Sequence, residues 1–184
     1  MDIFLSAVLV SGICAVSEGK YDTLIMVIFV FPTLVTIWVL HFIQLPSLAL
    51  VSNCLSILIF GYTMIRILGF IFKSKTVTSD VIFAAILVYL LIGITWGIIF
   101  RSMETVQPGS FSIGEGLEQY QRIAFTYYSF VTLTTLGYGD ISPLSPQAGT
   151  LAILEAIIGQ LYLAVLIARL VGTHISHSRK NKGP

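Results

Sequence analysis

Charge is what this sequence has least of. Only 10% of its 184 residues are Asp, Glu, Lys or Arg, where a soluble domain carries about 25%. Since 56% of the residues are hydrophobic, most of the chain must be solvated by lipid. The net charge is +1 and no basic run precedes the last few residues, so no nucleic-acid partner is implied. Cysteine is nearly absent. Cys14 and Cys54 both fall in apolar stretches and read as small buried hydrophobes, not as a disulfide or a metal pair. No basic segment precedes Ile3, so the start does not read as a cleavable signal peptide. His-Glu-x-x-His, Gly-x-Ser-x-Gly and paired-Cys motifs are missing, which points away from an enzyme and from any cofactor.

Long apolar runs take the place of all these. A membrane span needs about 20 such residues, and four stretches qualify: Thr23–Gln44, Ser47–Phe72, Asp80–Phe100 and Pro146–Gly172. A fifth, Ile3–Val16, is short and ends at the polar Ser17-Glu18-Gly19-Lys20; read as crossing, it puts the amino terminus outside. Arg101–Gln119 is polar, carries Pro108, Gly109, Gly114 and Gly116, and reads as an exposed loop. Gln121–Thr134 is rich in aromatics and too short to span, as a re-entrant helix would be. With the Arg101–Gln119 loop outside, the inner side holds Lys20, Lys73, Lys75, Arg169, Arg179, Lys180 and Lys182, and the outer side only Arg101 and Arg122. That is the positive-inside arrangement. It predicts a multi-pass protein of the plasma membrane with a cytoplasmic carboxyl terminus.

Residues Thr134 to Asp140 read Thr-Thr-Leu-Gly-Tyr-Gly-Asp. Successive backbone carbonyls can replace a cation's water shell if they all point one way. An ordinary strand alternates them, so the arrangement needs residues that tolerate positive φ, chiefly glycine. Gly137 and Gly139 sit at alternate positions and supply that freedom twice. Thr135 adds a hydroxyl below the carbonyls of Thr135, Leu136, Gly137 and Tyr138, and the Tyr138 ring is bulky enough to brace the loop from behind. This stretch resembles the selectivity filter of the potassium-channel family, with Leu136 where Val is more usual. The resemblance extends from about Val77 to Gly172 and covers a short helix before the loop and a long apolar helix after it.

The resemblance implies an all-α membrane fold: a pore domain over 77–173, made of outer helix, re-entrant pore helix, filter loop and inner helix. Two to three extra spans in 1–76 precede it as a scaffold, and 174–184 follow as a short tail. It implies passive potassium conduction, with K+ held at Thr135, Leu136, Gly137 and Tyr138, and Gly139 completing the ladder. One chain offers one filter strand, so four identical subunits are expected. The nearest description is a prokaryote-like channel without a cytoplasmic regulatory domain. In such channels Thr134, Tyr127, Tyr128 and Asp140 match the filter's support, and Gly159 matches the gating hinge, although close helix packing also explains a glycine there. Val131 departs from members that place a carboxylate there to pair with the aspartate matching Asp140. Ser47–Phe72 holds one arginine, Arg66, near its inner end, where it can reach the headgroups. A voltage-sensing helix needs several. A potassium-uptake transporter subunit, and a membrane receptor or scaffold with an incidental Gly-rich loop, are the alternatives.

Ser145 before Pro146 predicts the start of the last helix, with a hydroxyl at the N-cap and proline at the first helical position. Gln160, Leu163, Ile167 and Val171 share one helical stripe, and the resemblance puts that stripe on the pore cavity. Glu155 lies five residues before Gln160, about 140° round the helix. It is assigned to the packed back of the helix, as a brace against the pore helix at Thr132. His174 and His177 read as solvated residues rather than half a metal site. Glu104, Glu115, Glu118 and Asp140 put acidic charge around the outer mouth.

Overall fold

A computed structural model describes residues 46–114 and 121–180. The expected spans Ile3–Val16 and Thr23–Gln44 lie outside the described residues, as do Cys14, Lys20, Glu115, Glu118 and Lys182. The described elements follow in the order α1 (Pro46–Lys73), α2 (Ser79–Val106), β1 (Phe111–Ile113), α3 (Gln121–Leu133), β2 (Ile141–Pro143) and α4 (Pro146–Lys180). Three stretches among them, Ser47–Lys73, Ser79–Val106 and Pro146–Thr173, are long and apolar enough to cross a membrane. At 13 residues α3 is not. The protein is therefore an all-α, multi-pass membrane protein to which one small sheet is added.

The chain divides into two compact units, Met1–Arg66 and Ile67–Pro184. In the first, two hydroxyls of α1 are bonded within the helix. Ser56 Oγ donates to Ser52 O and Thr63 Oγ1 to Ile59 O, which removes the cost of hydroxyls in an apolar helix. The Arg66 guanidinium donates to the Tyr62 hydroxyl at 3.0 Å and sits 5.9 Å from the centre of that ring. Cys54, expected to be buried, is exposed. Lipid tails are as apolar as a protein core, so a membrane helix has no reason to turn a small hydrophobe inward.

In the second unit α2 runs beyond Phe100, where a loop was expected, to Val106. Nothing in Arg101–Val106 breaks a helix; polarity alone does not, and the first breakers are Pro108 and Gly109. Gly109 adopts φ +81°, the left-handed conformation glycine takes cheaply after a helix end. The following stretch is not wholly exposed either. Ser110 and Phe111 are buried, and β1 pairs antiparallel with β2 in the register Phe111↔Pro143, Ser112↔Ser142, Ile113↔Ile141. Phe111 brings its ring into an aromatic cluster with Trp96 and Phe100 of α2 and Phe125 and Tyr128 of α3. The Phe100, Phe111, Phe125 and Tyr128 rings meet edge to face at 5.0 to 5.6 Å, the arrangement their quadrupoles favour.

Two glycines let α3 lie against α2. A Cβ on Gly97 would sit 2.8 Å from Thr126 Cα, and one on Gly93 would sit 2.5 Å from the Phe130 ring. Four residues apart, they form a small-residue face of the kind that brings membrane helices close. α4 starts as its sequence predicts: Ala148 N–H donates to Ser145 Oγ at 3.2 Å. It does not stop at Gly172 but runs to Lys180, so His174 and His177 lie on helix. Glycine ends a helix by taking positive φ at its cap, and Gly172 does not. At the other end of α4's span, the Arg169 guanidinium donates to Phe72 O and Ser74 O at the end of α1, where carbonyls lack helical partners.

Gly97→Val forces Thr126 backbone away from α2 and is expected to destabilise the purified protein by about 1–3 kcal/mol, read as a lower thermal midpoint in detergent. Gly69→Ala, whose Cβ meets nothing within 4 Å, should leave the midpoint unchanged. Equal midpoints for both variants would contradict the packing.

Candidate functional site

The Thr134–Asp140 loop leaves the carboxyl end of α3. Thr135 N–H donates to Thr132 O at 2.9 Å and Leu136 N–H to Val131 O at 2.9 Å. Those two bonds are a Schellman motif, which puts Thr135 at the position normally held by a left-handed glycine. Thr135 indeed has φ +59°, the positive value among the described non-glycine residues. A β-branched residue there is strained and stays only where its surroundings hold it. Gly137 N–H also turns back to Val131 O, at 3.3 Å.

Positive φ then recurs at every second residue: 59° at Thr135, 61° at Gly137 and 79° at Gly139. This alternation is the geometry that lets successive carbonyls point to one side. Among the described residues none donates a hydrogen bond to a carbonyl oxygen of Thr135, Leu136, Gly137, Tyr138 or Gly139. The N–H groups at the start of the loop are spent inward and the oxygens are left over. All seven residues from Thr134 to Asp140 are exposed in the single chain.

The loop is braced from outside. Tyr127 stacks on Tyr138, with ring centres 6.5 Å apart and planes 9° off parallel, and its hydroxyl donates to Asp140 Oδ2 at 2.7 Å. Asp140 Oδ1 accepts from Ile141 N–H, and Asp140 O accepts from Gly114 N–H at 2.9 Å. Val131 carries no carboxylate, and the Tyr127 phenol braces Asp140 without one. Tyr128 points elsewhere, into the cluster with Phe100 and Phe111. Thr134 turns its hydroxyl back to Phe130 O. Glu104, expected among the acids of the outer mouth, gives both oxygens to backbone: Oε1 accepts from Gly109 N–H and Oε2 from Phe111 N–H. It ties the turn after α2.

On α4, Gln160 and Ile167 are exposed and Leu163 is half-buried, whereas Glu155 is wholly buried on another face. Glu155 meets Ser129, not Thr132; Ser129 lies one turn earlier on α3, facing α4. A Cβ on Gly159 would meet Leu133 O and Leu133 Cδ1 at 2.7 Å. Close packing on the end of α3 is thus the role its geometry carries.

The family profile described as "Ion channel" matches residues 77–174, which is the stretch that holds this loop and the two helices around it. The chain belongs to this ion channel family. It is 31% identical over 98 residues to Two-pore potassium channel 5 of Arabidopsis thaliana, covering 53% of this chain and 21% of that one. It is 41% identical over 63 residues to Inward rectifier potassium channel Kirbac3.1 of Paramagnetospirillum magnetotacticum, covering 34% and 18%. Two pore potassium channel c of Oryza sativa subsp. japonica is 33% identical over 89 residues, covering 48% and 18%. The chain thus spans about a fifth of the length of these curated relatives. No solved structure matches it. Sequence reasoning about this ion channel domain missed Thr135's backbone and the Tyr127–Asp140 bond. The Gly93–Gly97 spacing was a readable signal for the close approach of α2 and α3.

Tyr127→Phe keeps the ring on Tyr138 but leaves Asp140 Oδ2 without its donor. Amide hydrogen exchange across residues 136–141 is expected to rise about two- to five-fold, with α2 unchanged. Identical exchange in both proteins would show that this bond does not hold the loop.

Proposed function

We propose that the chain conducts potassium passively and selectively through a pore closed by four identical copies. The observation that carries this reading is the row of unpartnered carbonyl oxygens from Thr135 to Gly139, set by positive φ at alternate residues. Backbone groups without partners at membrane depth are stable only when buried in protein or lining a water-filled path. A loop exposed along its whole length in one chain meets that condition when other copies close a ring round it. Rings of carbonyls, with the Thr135 hydroxyl beneath, then replace the water of a potassium ion. The three relatives, each named as a potassium channel, support that ion as the substrate.

The remaining assignments follow from this ring. α3 aims its carboxyl end, and the partial negative charge of its last carbonyls, at the entering cation. Gln160, Leu163 and Ile167 line the cavity below Thr135. The exposed apolar face of α4, including Ile153, Ile157, Leu161 and Val165, is covered by neighbouring copies and lipid. Residues of 1–76 form a scaffold, and the basic residues Lys73, Lys75 and Arg169 lie on the cytoplasmic side of a plasma membrane.

Reconstituted in liposomes under opposing potassium and sodium gradients, the protein is expected to reverse near the potassium equilibrium potential. Gly137→Ala tests the loop directly. A Cβ there meets nothing within 4 Å, so its penalty is the left-handed backbone alone, about 1–2 kcal/mol per copy. Four copies multiply it, and conduction should be lost. A reversal potential near zero, or an unchanged current in the variant, would overturn the reading.

A further inference from the structure

Glu155 is the one acid fully buried among the described residues. Its Oε1 meets the Ser129 hydroxyl of α3, and that same hydroxyl meets the Gly93 carbonyl of α2 at 2.6 Å. A serine hydroxyl has one proton to give, and a backbone carbonyl can only accept. An ionised carboxylate also only accepts, so three oxygens would then share a single proton and one close pair would face lone pair to lone pair. Adding a proton on Glu155 resolves the cluster. The acid O–H donates to Ser129 Oγ, and Ser129 O–H donates to Gly93 O.

Two further observations point the same way. Glu155 Oε2 is buried and has no hydrogen-bond partner among the described residues, which a neutral carbonyl oxygen tolerates far better than half of a carboxylate. Among the described residues, the Tyr89 phenol of α2 and the Tyr128 phenol of α3 interact with it, and neither is a cation. Glu155 is already covered within a single chain.

We infer that Glu155 is held as the neutral acid, a positioning residue whose proton closes a relay from α4 through Ser129 to Gly93. Glu155 and Gly159 lie four apart on α4, and their partners Ser129 and Leu133 lie four apart on α3. The contact therefore has two successive rungs, one polar and one close-packed, and it fixes α4 against the helix that carries the conduction loop. That link to conduction rests on the proposed function; the protonation state does not.

Infrared spectra of the purified full chain, labelled at glutamate, test the inference. The native protein at neutral pH is expected to show a carboxylic-acid carbonyl band that shifts in D2O, changes in Ser129→Ala and is lost in Glu155→Gln. Glu155→Gln supplies an amide N–H in the acid's place and should keep open probability and thermal midpoint close to native. Glu155→Asp, one methylene short, and Ser129→Ala should each lower open probability about tenfold. Absence of an acid band from the native spectrum overturns the inference, whatever the variants do. So does a Glu155→Gln protein that folds but loses as much open probability as Glu155→Asp. If the band is present and no potassium current is found, the relay stands and the conduction reading fails.

Discussion

Five consecutive carbonyl oxygens without partners are what the rest of this fold has to accommodate. In hydrocarbon each would cost several kcal/mol, so the loop that bears them must be held away from lipid and kept from collapsing into turn hydrogen bonds. The chain achieves the second by spending the N–H groups of Thr135, Leu136 and Gly137 on α3. Once those donors are committed, the loop has few ways to satisfy its own oxygens. Those oxygens stay without partners among the described residues.

Holding that geometry needs support on every side. Tyr127 and Asp140 close the outer edge, and the two-stranded sheet ties the loop's exit to the segment after α2. Edge-to-face rings from α2, β1 and α3 fill the space behind. Gly93, Gly97 and Gly159 remove side chains where α2 and α4 must touch α3. Among the described non-glycine residues Thr135 has the positive φ, and it also carries a hydroxyl. Glycine would relieve the left-handed strain and lose the hydroxyl.

How much of this was legible follows from which signals are local. The loop declared itself because glycines at alternate positions are a backbone requirement written in residue types, and both do take positive φ. The cap at Ser145 was readable for the same reason. Helix ends were misjudged where polarity was taken for a stop: α2 passes Arg101, and α4 passes Gly172, because neither residue imposes a terminating conformation. Thr135's φ was hidden since its cause, the Schellman end of α3, depends on where that helix stops. Cys54 was misplaced by a burial rule that belongs to water. Glu104 finds its partners in the turn just after its own helix and Glu155 finds Ser129 by tertiary approach; spacing along one helix reveals neither.

The most direct measurement is anomalous scattering from crystals of the assembled protein grown with rubidium or thallium in place of potassium. The account predicts a file of cation peaks on the symmetry axis, each surrounded by carbonyl oxygens of Thr135, Leu136, Gly137 and Tyr138 from all copies. A loop whose carbonyls turn away from the axis, or an axis without ordered cations at these residues, would contradict it.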